Sequence, residues 1–163
     1  MHRLNIVLLE PEIPANTGNI GRSCVATGSV LHLIRPLGFS TDDKYIKRAG
    51  MDYWQQLDVR YYDSFEDFLS LNKQPQIYVT SSKVERCYTD VQYPAGAFIM
   101  FGKESAGIPK YILDMFPDTT IRIPMVPGVR CLNLGSSVAV VLFEALRQQG
   151  FVDLIPTCNQ GRN

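Results

Sequence analysis

Short apolar runs along the chain alternate with longer stretches whose apolar residues have helical spacing. The runs Asn5–Leu9 and Val30–Ile34 each end at a turn that contains proline, which predicts two buried strands. Between them, the cap-forming residues Asn16 and Thr17 follow a proline, and helical spacing continues as far as Gly28. This part of the chain is therefore predicted to be a β-α-β unit.

The same alternation continues through the rest of the chain. Strands are predicted at residues 76–80, Phe98–Phe101 and 120–123, and helices at residues 65–69 and 136–149. Asp63 and Ser64 can cap the first of these helices, and Gly150 ends the second. The predicted fold is α/β, with a mostly parallel sheet that has helices on both faces. We expect one domain over residues 1–156 and a polar tail over residues 157–163.

The charge of the chain is balanced, since Lys plus Arg and Asp plus Glu each total 16 and the net charge is +0 at pH 7. Such a chain has no general electrostatic attraction for a polyanion, so any nucleic-acid binding must come from a local basic patch. Candidates for this patch are Lys44, Lys47, Arg48, Lys83, Arg86 and Arg130. The same residues could equally form a solvated charged surface.

Several classes of protein and site are disfavoured. The apolar run near the start is too short for a secretory signal or a membrane span, so we expect a soluble cytoplasmic protein. The four cysteines form no close pair and are expected to be free thiols. The chain has 2 histidines, and His32 lies in an apolar run, where a buried or edge-strand role is expected. We therefore expect no metal site.

A first candidate site covers residues 10–22, just after the first predicted strand. Its glycines and the start of its helix would let backbone donors approach a phosphate or a ribose, with Arg22 about one turn into the helix as a bidentate clamp. A helix cap beside a surface arginine explains the same residues. A dinucleotide fingerprint is excluded, because Gly18 and Gly21 do not complete the glycine pattern and the second strand ends in Arg35 rather than an acid.

Two further candidate segments also follow predicted strands, where open α/β sheets bind their ligands. In residues 99–109, Gly102 and Gly107 indicate close approach of the backbone to a ligand, and a short helix follows. Glu104 stands where a turn more often has Asn or Asp. In residues 121–137, Asn133 could read an adenine edge or a ribose hydroxyl, or could simply cap a helix.

Together the three segments resemble the signature motifs of SpoU-type methyltransferases of the SPOUT superfamily. The resemblance rests on Asn-Thr-Gly-Asn-Ile-Gly-Arg at 16–22, Phe-Gly-Lys-Glu-Ser-Ala-Gly-Ile at 101–108, Ile-Pro-Met at 123–125 and Leu-Asn-Leu at 132–134. Residues 10–14, 36–39, 48–53 and 147–150 are similar to the small single-domain group that methylates the ribose of cytidine or uridine 34 in tRNA. The likeness extends from about residue 4 to residue 151.

This resemblance implies a C-terminal trefoil knot, a homodimer whose active sites use both subunits, S-adenosylmethionine as cofactor and a tRNA anticodon loop as partner. The implied cofactor pocket contains Thr80, Gly102, Glu104, Ile123, Cys131 and Leu132. The implied catalytic residues are Arg22 and Asn133, and the implied tRNA-binding residues are Asn16, Lys47, Arg48 and Arg130. Gly21, Lys103, Cys131, Gly135 and Phe143 depart from the group, which has a larger apolar residue, Pro, Ser, Ser and Tyr at these places.

Two other functions stay open from the sequence alone. The enzyme could methylate another tRNA or rRNA ribose, or the chain could be a non-catalytic module that binds RNA or a nucleotide. The general base is open as well, because a guanidinium does not release its proton in proteins and Glu104 could serve either as base or as a backbone contact.

Overall fold

A computed structural model describes residues 3–42, 52–73 and 75–154. Its strands are β1 (Asn5–Leu9), β2 (Val30–Ile34), β3 (Val59–Tyr62), β4 (Ile77–Thr80), β5 (Phe98–Phe101) and β6 (Thr120–Ile121). Its helices are α1 (Pro14–Thr27), α2 (Phe65–Leu71), α3 (Lys110–Met115) and α4 (Leu134–Gln148), with a 3₁₀ helix at Asp52–Gln56. Lys44, Lys47, Arg48 and the polar tail lie outside the described residues.

The six strands form a single sheet in the order β3-β2-β1-β5-β4-β6. All five neighbouring pairs are parallel. The predicted parallel sheet is therefore confirmed. β1 and β5 lie side by side at its centre, so the segments that follow these two strands leave the sheet together.

Neighbouring residues of a strand point to opposite faces of the sheet. Both faces of β1 are apolar, and helices cover each of them. Ile6 and Leu8 of β1 pack with α1 and α4 in one core cluster. Val7 and Leu9 pack with α2 and α3 in the other cluster. The first cluster lies beside the predicted site, because α1 contains Asn16 and Arg22 and α4 begins directly after its N-cap Asn133.

Several predicted boundaries were wrong. α1 begins at Pro14, with Ile13 as its N-cap and no side-chain cap of its own, whereas a start near Asn16 was predicted. The strand predicted over 120–123 ends at Ile121, because Arg122 pairs with another segment: its amide donates to Arg86 (2.8 Å) and its carbonyl accepts from Tyr88 (2.9 Å).

α4 is fastened at its carboxyl end to the segment that joins β4 to β5. The Gln148 side chain donates to the Val91 carbonyl (3.0 Å) and accepts from the Tyr93 amide (3.0 Å). Gln149 donates to the carbonyls of Tyr93 and Pro94, both at 3.2 Å. These bonds give the glutamines at the end of α4 a structural role.

His32 is buried in β2, as expected. Its Nε2 lies 3.0 Å from Asn5 Oδ1, and its Nδ1 lies 2.8 Å from the Tyr62 hydroxyl. Because an amide oxygen only accepts, Nε2 donates to Asn5 and Nδ1 accepts from Tyr62. Burial lowers the pKa of His32 to about 3. The ring is therefore neutral and joins β1, β2 and β3 through hydrogen bonds.

Three of the cysteines, Cys24, Cys87 and Cys131, are free thiols, as predicted. Among the described residues, no helix is both long enough and apolar enough to cross a membrane.

Candidate active site

The Glu104 carboxylate caps the start of α1 from the neighbouring loop. It accepts from the amides of Glu12 (2.8 Å) and Ile13 (3.2 Å) and from Asn16 Nδ2 (3.0 Å). Free donors at a helix start attract an anion, and here the protein supplies that anion itself. Glu104 takes the Glu12 and Ile13 amides, and docking of a phosphate or ribose at this helix start stays a prediction.

These contacts also bear on proton transfer by Glu104. Burial alone would raise the pKa of its carboxyl, but hydrogen bonds from Asn16 and from the Glu12 and Ile13 amides outweigh burial and lower that pKa below its ordinary value. Both carboxylate oxygens are engaged. The structure therefore favours the backbone-contact role for Glu104 over the role of a general base.

Two more pairs tie the same segments together. Glu12 accepts from the amide and the hydroxyl of Ser105, both at 2.9 Å. Lys103 Nζ forms an ion pair with Glu10 at 2.9 Å. Sequence reasoning missed both pairs, although acidic residues on either side of a proline directly after a buried strand were a signal for them. We call these contacts, with those of Glu104, the clasp between residues 10–16 and residues 103–105.

Asn16 extends the clasp to the third segment. Its Oδ1 accepts from Asn133 Nδ2 at 2.9 Å, and Asn133 Oδ1 accepts from the Ser136 amide at 3.3 Å as the N-cap of α4. Hydrogen bonds thus connect Glu104, Asn16 and Asn133, one residue from each predicted motif. Asn133 proves to be a helix cap, the simpler of the two roles left open, and its catalytic role stays a prediction.

Three residues predicted to bind the cofactor lie at the carboxyl ends of adjacent strands. Thr80 ends β4 and pairs with Ile121 in register, so Ile123 follows close by, and Gly102 follows β5 directly. The Thr80 hydroxyl donates to the Met100 carbonyl at 3.0 Å. The topology of the sheet therefore brings Thr80, Gly102 and Ile123 to one edge.

The packing of its own loop requires glycine at position 102. A Cβ atom there would lie 2.1 Å from the carbonyl carbon of Gly107 and 2.4 Å from the amide nitrogen of Ile108. The two arms of the loop therefore approach each other closely at Gly102, and its contact with the cofactor stays a prediction. The glycine shapes the loop that holds Lys103 and Glu104 in the clasp.

The loop before α4 contains the remaining cofactor candidates. Cys131 and Leu132 are exposed, with Leu132 at 38%. Ile123 is partly buried against the core. Partly exposed apolar side chains beside strand ends that contain glycine suit an adenosine group, which needs apolar contact and nearby main-chain groups. Among the described residues, no group of three or more His, Cys, Asp or Glu side chains could hold a metal ion.

Arg22 lies further along α1 than predicted. It is eight positions after Pro14, which is more than two helical turns. It is therefore remote from the helix start that Glu104 occupies. Its side chain is exposed, and its guanidinium carbon lies 4.9 Å from the centroid of the Tyr53 ring. Sequence reasoning missed Tyr53 as a neighbour, and its place in the 48–53 resemblance was the only signal.

The other residues predicted to contact tRNA differ in exposure and in their bonds within the protein. Asn16 is 7% exposed, and its side-chain amide is bonded within the protein, so its contact with RNA stays a prediction. Arg130 is exposed. Arg86, a candidate for the basic patch, donates to the carbonyls of Pro117 (3.1 Å) and Asp118. Lys47 and Arg48 lie outside the described residues.

Comparison with known proteins places this geometry in a family. The model of the SpoU rRNA Methylase family matches residues 3–143. The chain belongs to the SpoU methylase family.

Relatives within this family are similar over nearly their full length. A protein from Geobacillus stearothermophilus is 48% identical over 151 residues, covering 91% of this chain and 96% of the relative. The tRNA (cytidine(34)-2′-O)-methyltransferase of Escherichia coli is 46% identical over 149 residues, covering 91% and 95%. A solved structure described as giving insights into the 2-OH methylation of C/U34 on tRNA superposes with a TM-score of 0.85 at 42% identity, covering 92% and 98%.

Membership of the SpoU family implies the C-terminal trefoil knot, which the strand order alone does not reveal. The structure also gives packing contacts for two of the positions predicted to depart from the tRNA-34 group. A Cβ at Gly21 would lie 3.1 Å from Leu57 and 3.3 Å from Trp54, so the 3₁₀ helix packs directly on α1. A Cβ at Gly135 would lie 3.2 Å from Asn133 Oδ1, beside the cap of α4. Lys103 forms the ion pair with Glu10 described above.

Proposed function

We propose that this SpoU-family protein transfers a methyl group from S-adenosylmethionine to the ribose 2′-hydroxyl of tRNA wobble nucleotide 34, a cytidine or modified uridine. The observation that supports this most directly is the hydrogen-bonded chain Glu104–Asn16–Asn133, which joins all three motif segments beside the strand ends. The likeness to the Escherichia coli tRNA (cytidine(34)-2′-O)-methyltransferase favours position 34 as the target.

We assign the cofactor to the strand ends. Thr80, Gly102, Ile123, Cys131 and Leu132 would hold it, and Glu104 would support the pocket through the clasp. When bound, S-adenosylmethionine supplies a methyl group that its sulfonium already makes electrophilic. The protein's own task is then to orient the ribose oxygen in line with the methyl carbon, which can contribute on the order of 7 to 11 kcal/mol in well-oriented systems.

Arg22 is assigned as a clamp on the substrate phosphate and ribose. A guanidinium keeps its proton in proteins and presents a planar fork that fits phosphate oxygens. A phosphate oxygen or a water molecule would then take the proton from the 2′-hydroxyl. Because the acceptor hydroxyl exists only in RNA, the reaction itself selects RNA over DNA. Lys47, Arg48 and Arg130 are proposed as further tRNA contacts, with the cytoplasm as the place of reaction.

We propose that the protein acts as a homodimer through the outer side of α4. Val140 and Phe143 of α4 are 37% and 48% exposed, and Phe151 just beyond it is 37% exposed. Exposed apolar residues at this spacing form a stripe that a second subunit could cover. Sedimentation velocity should give a dimer, and Phe143→Glu should shift it towards monomer. A fully active monomer at assay concentration would contradict the dimer.

The test of the proposed function is to incubate purified protein with labelled S-adenosylmethionine and total tRNA, and to map the labelled nucleotide by digestion and mass spectrometry. Label on the ribose of nucleotide 34 is expected. Arg22→Ala should bind the cofactor but lose methyl transfer. Arg60→Ala, the control at an exposed arginine on the edge strand β3, should retain methyl transfer. Label on another tRNA or rRNA ribose would support the other methyltransferase function. Cofactor binding with no transfer to any RNA would support a non-catalytic module.

A further inference from the structure

Arg22 has an aromatic neighbour in place of an acidic one. Its guanidinium carbon lies 4.9 Å from the centroid of the Tyr53 ring. In the described part of the chain, Arg22 takes part in none of the ion pairs. A carboxylate partner would neutralise the positive charge, whereas an aromatic face attracts the cation and leaves its charge available to a phosphate.

The contact with Tyr53 also keeps donors of Arg22 available, because its guanidinium carbon lies over the ring. A guanidinium beside an aromatic face still presents N–H donors in its own plane. The same side chain can therefore stack on Tyr53 and hold a phosphate or ribose oxygen at its edge. An exposed arginine without such a partner would sample many rotamers and would lose that freedom only when RNA binds.

Tyr53 is itself held in place. Its hydroxyl donates to the Gly18 carbonyl of α1. Its Cε2 atom lies 3.4 Å from the position of a Cβ at Gly21, and Trp54 and Leu57 pack at the same point of the helix. Burial raises the pKa of Tyr53 above its ordinary value, which keeps the hydroxyl protonated as a donor. The ring is thus fixed to the helix that contains Arg22.

We infer that Tyr53 is a positioning residue that sets the guanidinium plane of Arg22 for the methyl-transfer step. This inference rests on the proposed role of Arg22 in the reaction. Tyr53→Leu, which removes the aromatic face, should lower kcat about tenfold, within the range that a cation–π contact allows. Tyr53→Phe keeps the face and should stay within about threefold of the parent. Cofactor affinity should not change in either variant.

The experiment measures kcat and KM for tRNA, cofactor Kd by calorimetry, and thermal stability for both variants. Tyr111→Leu is the matched control, because Tyr111 is exposed on α3, which packs on the opposite face of the sheet. A full-rate Tyr53→Leu would overturn the inference. An equal loss in Tyr53→Phe would assign the effect to the hydroxyl and would also overturn it, as would a loss confined to cofactor binding or stability.

A second measurement needs no activity. In ¹⁵N-labelled protein, ring current from Tyr53 should shift the Arg22 Nε–H resonance, assigned by its disappearance in Arg22→Lys. The shift should persist in Tyr53→Phe and vanish in Tyr53→Leu. Absence of the shift in the parent would overturn the inference while leaving the tRNA assay untouched, so the two proposals can fail separately.

Discussion

Removing the Glu104 carboxylate should destabilise the fold as well as the site. Glu104→Ala leaves the amides of Glu12 and Ile13 and the Asn16 side chain without their acceptor. Loss of a helix cap costs about 0.5 to 2 kcal/mol, and hydrogen bonds to a charged group are worth about 1.5 to 3 kcal/mol. Since water can reach part of this site, we expect a loss of about 2 to 3 kcal/mol in the free energy of unfolding. For a chain of this size, that corresponds to a fall in Tm of roughly 5 to 10 °C.

Urea denaturation followed by circular dichroism would measure this loss. The midpoint should fall while the m value stays constant, because the surface exposed on unfolding is nearly the same in both proteins. Glu85→Ala is the matched control, since Glu85 is exposed, and its effect should stay within about 0.5 kcal/mol. If Glu104→Ala were no more destabilising than Glu85→Ala, the capping role of Glu104 would be refuted.

Three further predictions follow from other contacts. His32 has a folded pKa of about 3 against an ordinary 6.5, so the unfolded chain binds the proton first as pH falls; urea titrations should show about 2 kcal/mol lost between pH 7.5 and 5, and a flatter profile in His32→Gln. Gly102→Ala should cost more than about 2 kcal/mol, whereas Gly107→Ala, strained by its φ of 69° but with open space, should cost about 1 kcal/mol. Lys103→Met should lower the urea midpoint only slightly, because its ion pair with Glu10 is partly exposed, and Glu10→Gln should lower it little further in the double variant.

The local sequence pattern was sufficient to predict the bounds of a strand where that strand is a continuous apolar run. β1, β2 and β5 were predicted with the bounds that the structure has, because each is buried and ends at a turn. β3 was missed, since this edge strand is only partly buried and contains the exposed Arg60. The start of α1 was misplaced because its cap is Glu104, 92 residues from Glu12 along the chain. No local rule can show a cap supplied from that distance.

The same distinction applies to the candidate site. Chemistry and spacing located the three segments, and the parallel sheet brought them together. The roles of individual residues depended on contacts that only the fold creates. Asn16 and Asn133 resemble free recognition groups in the sequence, but each is bonded within the protein. Gly102 was predicted from its spacing as a point of close approach to a ligand, and the fold adds a requirement that the sequence did not show, namely the approach of its own loop.

α1 links the cap at Glu104 to the catalytic candidate Arg22. Its first turn is held by Glu104, and its middle is packed under the 3₁₀ helix that contains Tyr53. Arg22 lies on the same helix, so weakening the cap at Glu104 should disturb the arginine without any proton passing through the carboxylate. A lower rate in Glu104→Gln is therefore not evidence of a general base. The pH dependence of kcat separates the two roles: loss of a base would remove or move the acidic limb of the profile, whereas loss of a cap would lower the whole profile and leave the limb in place.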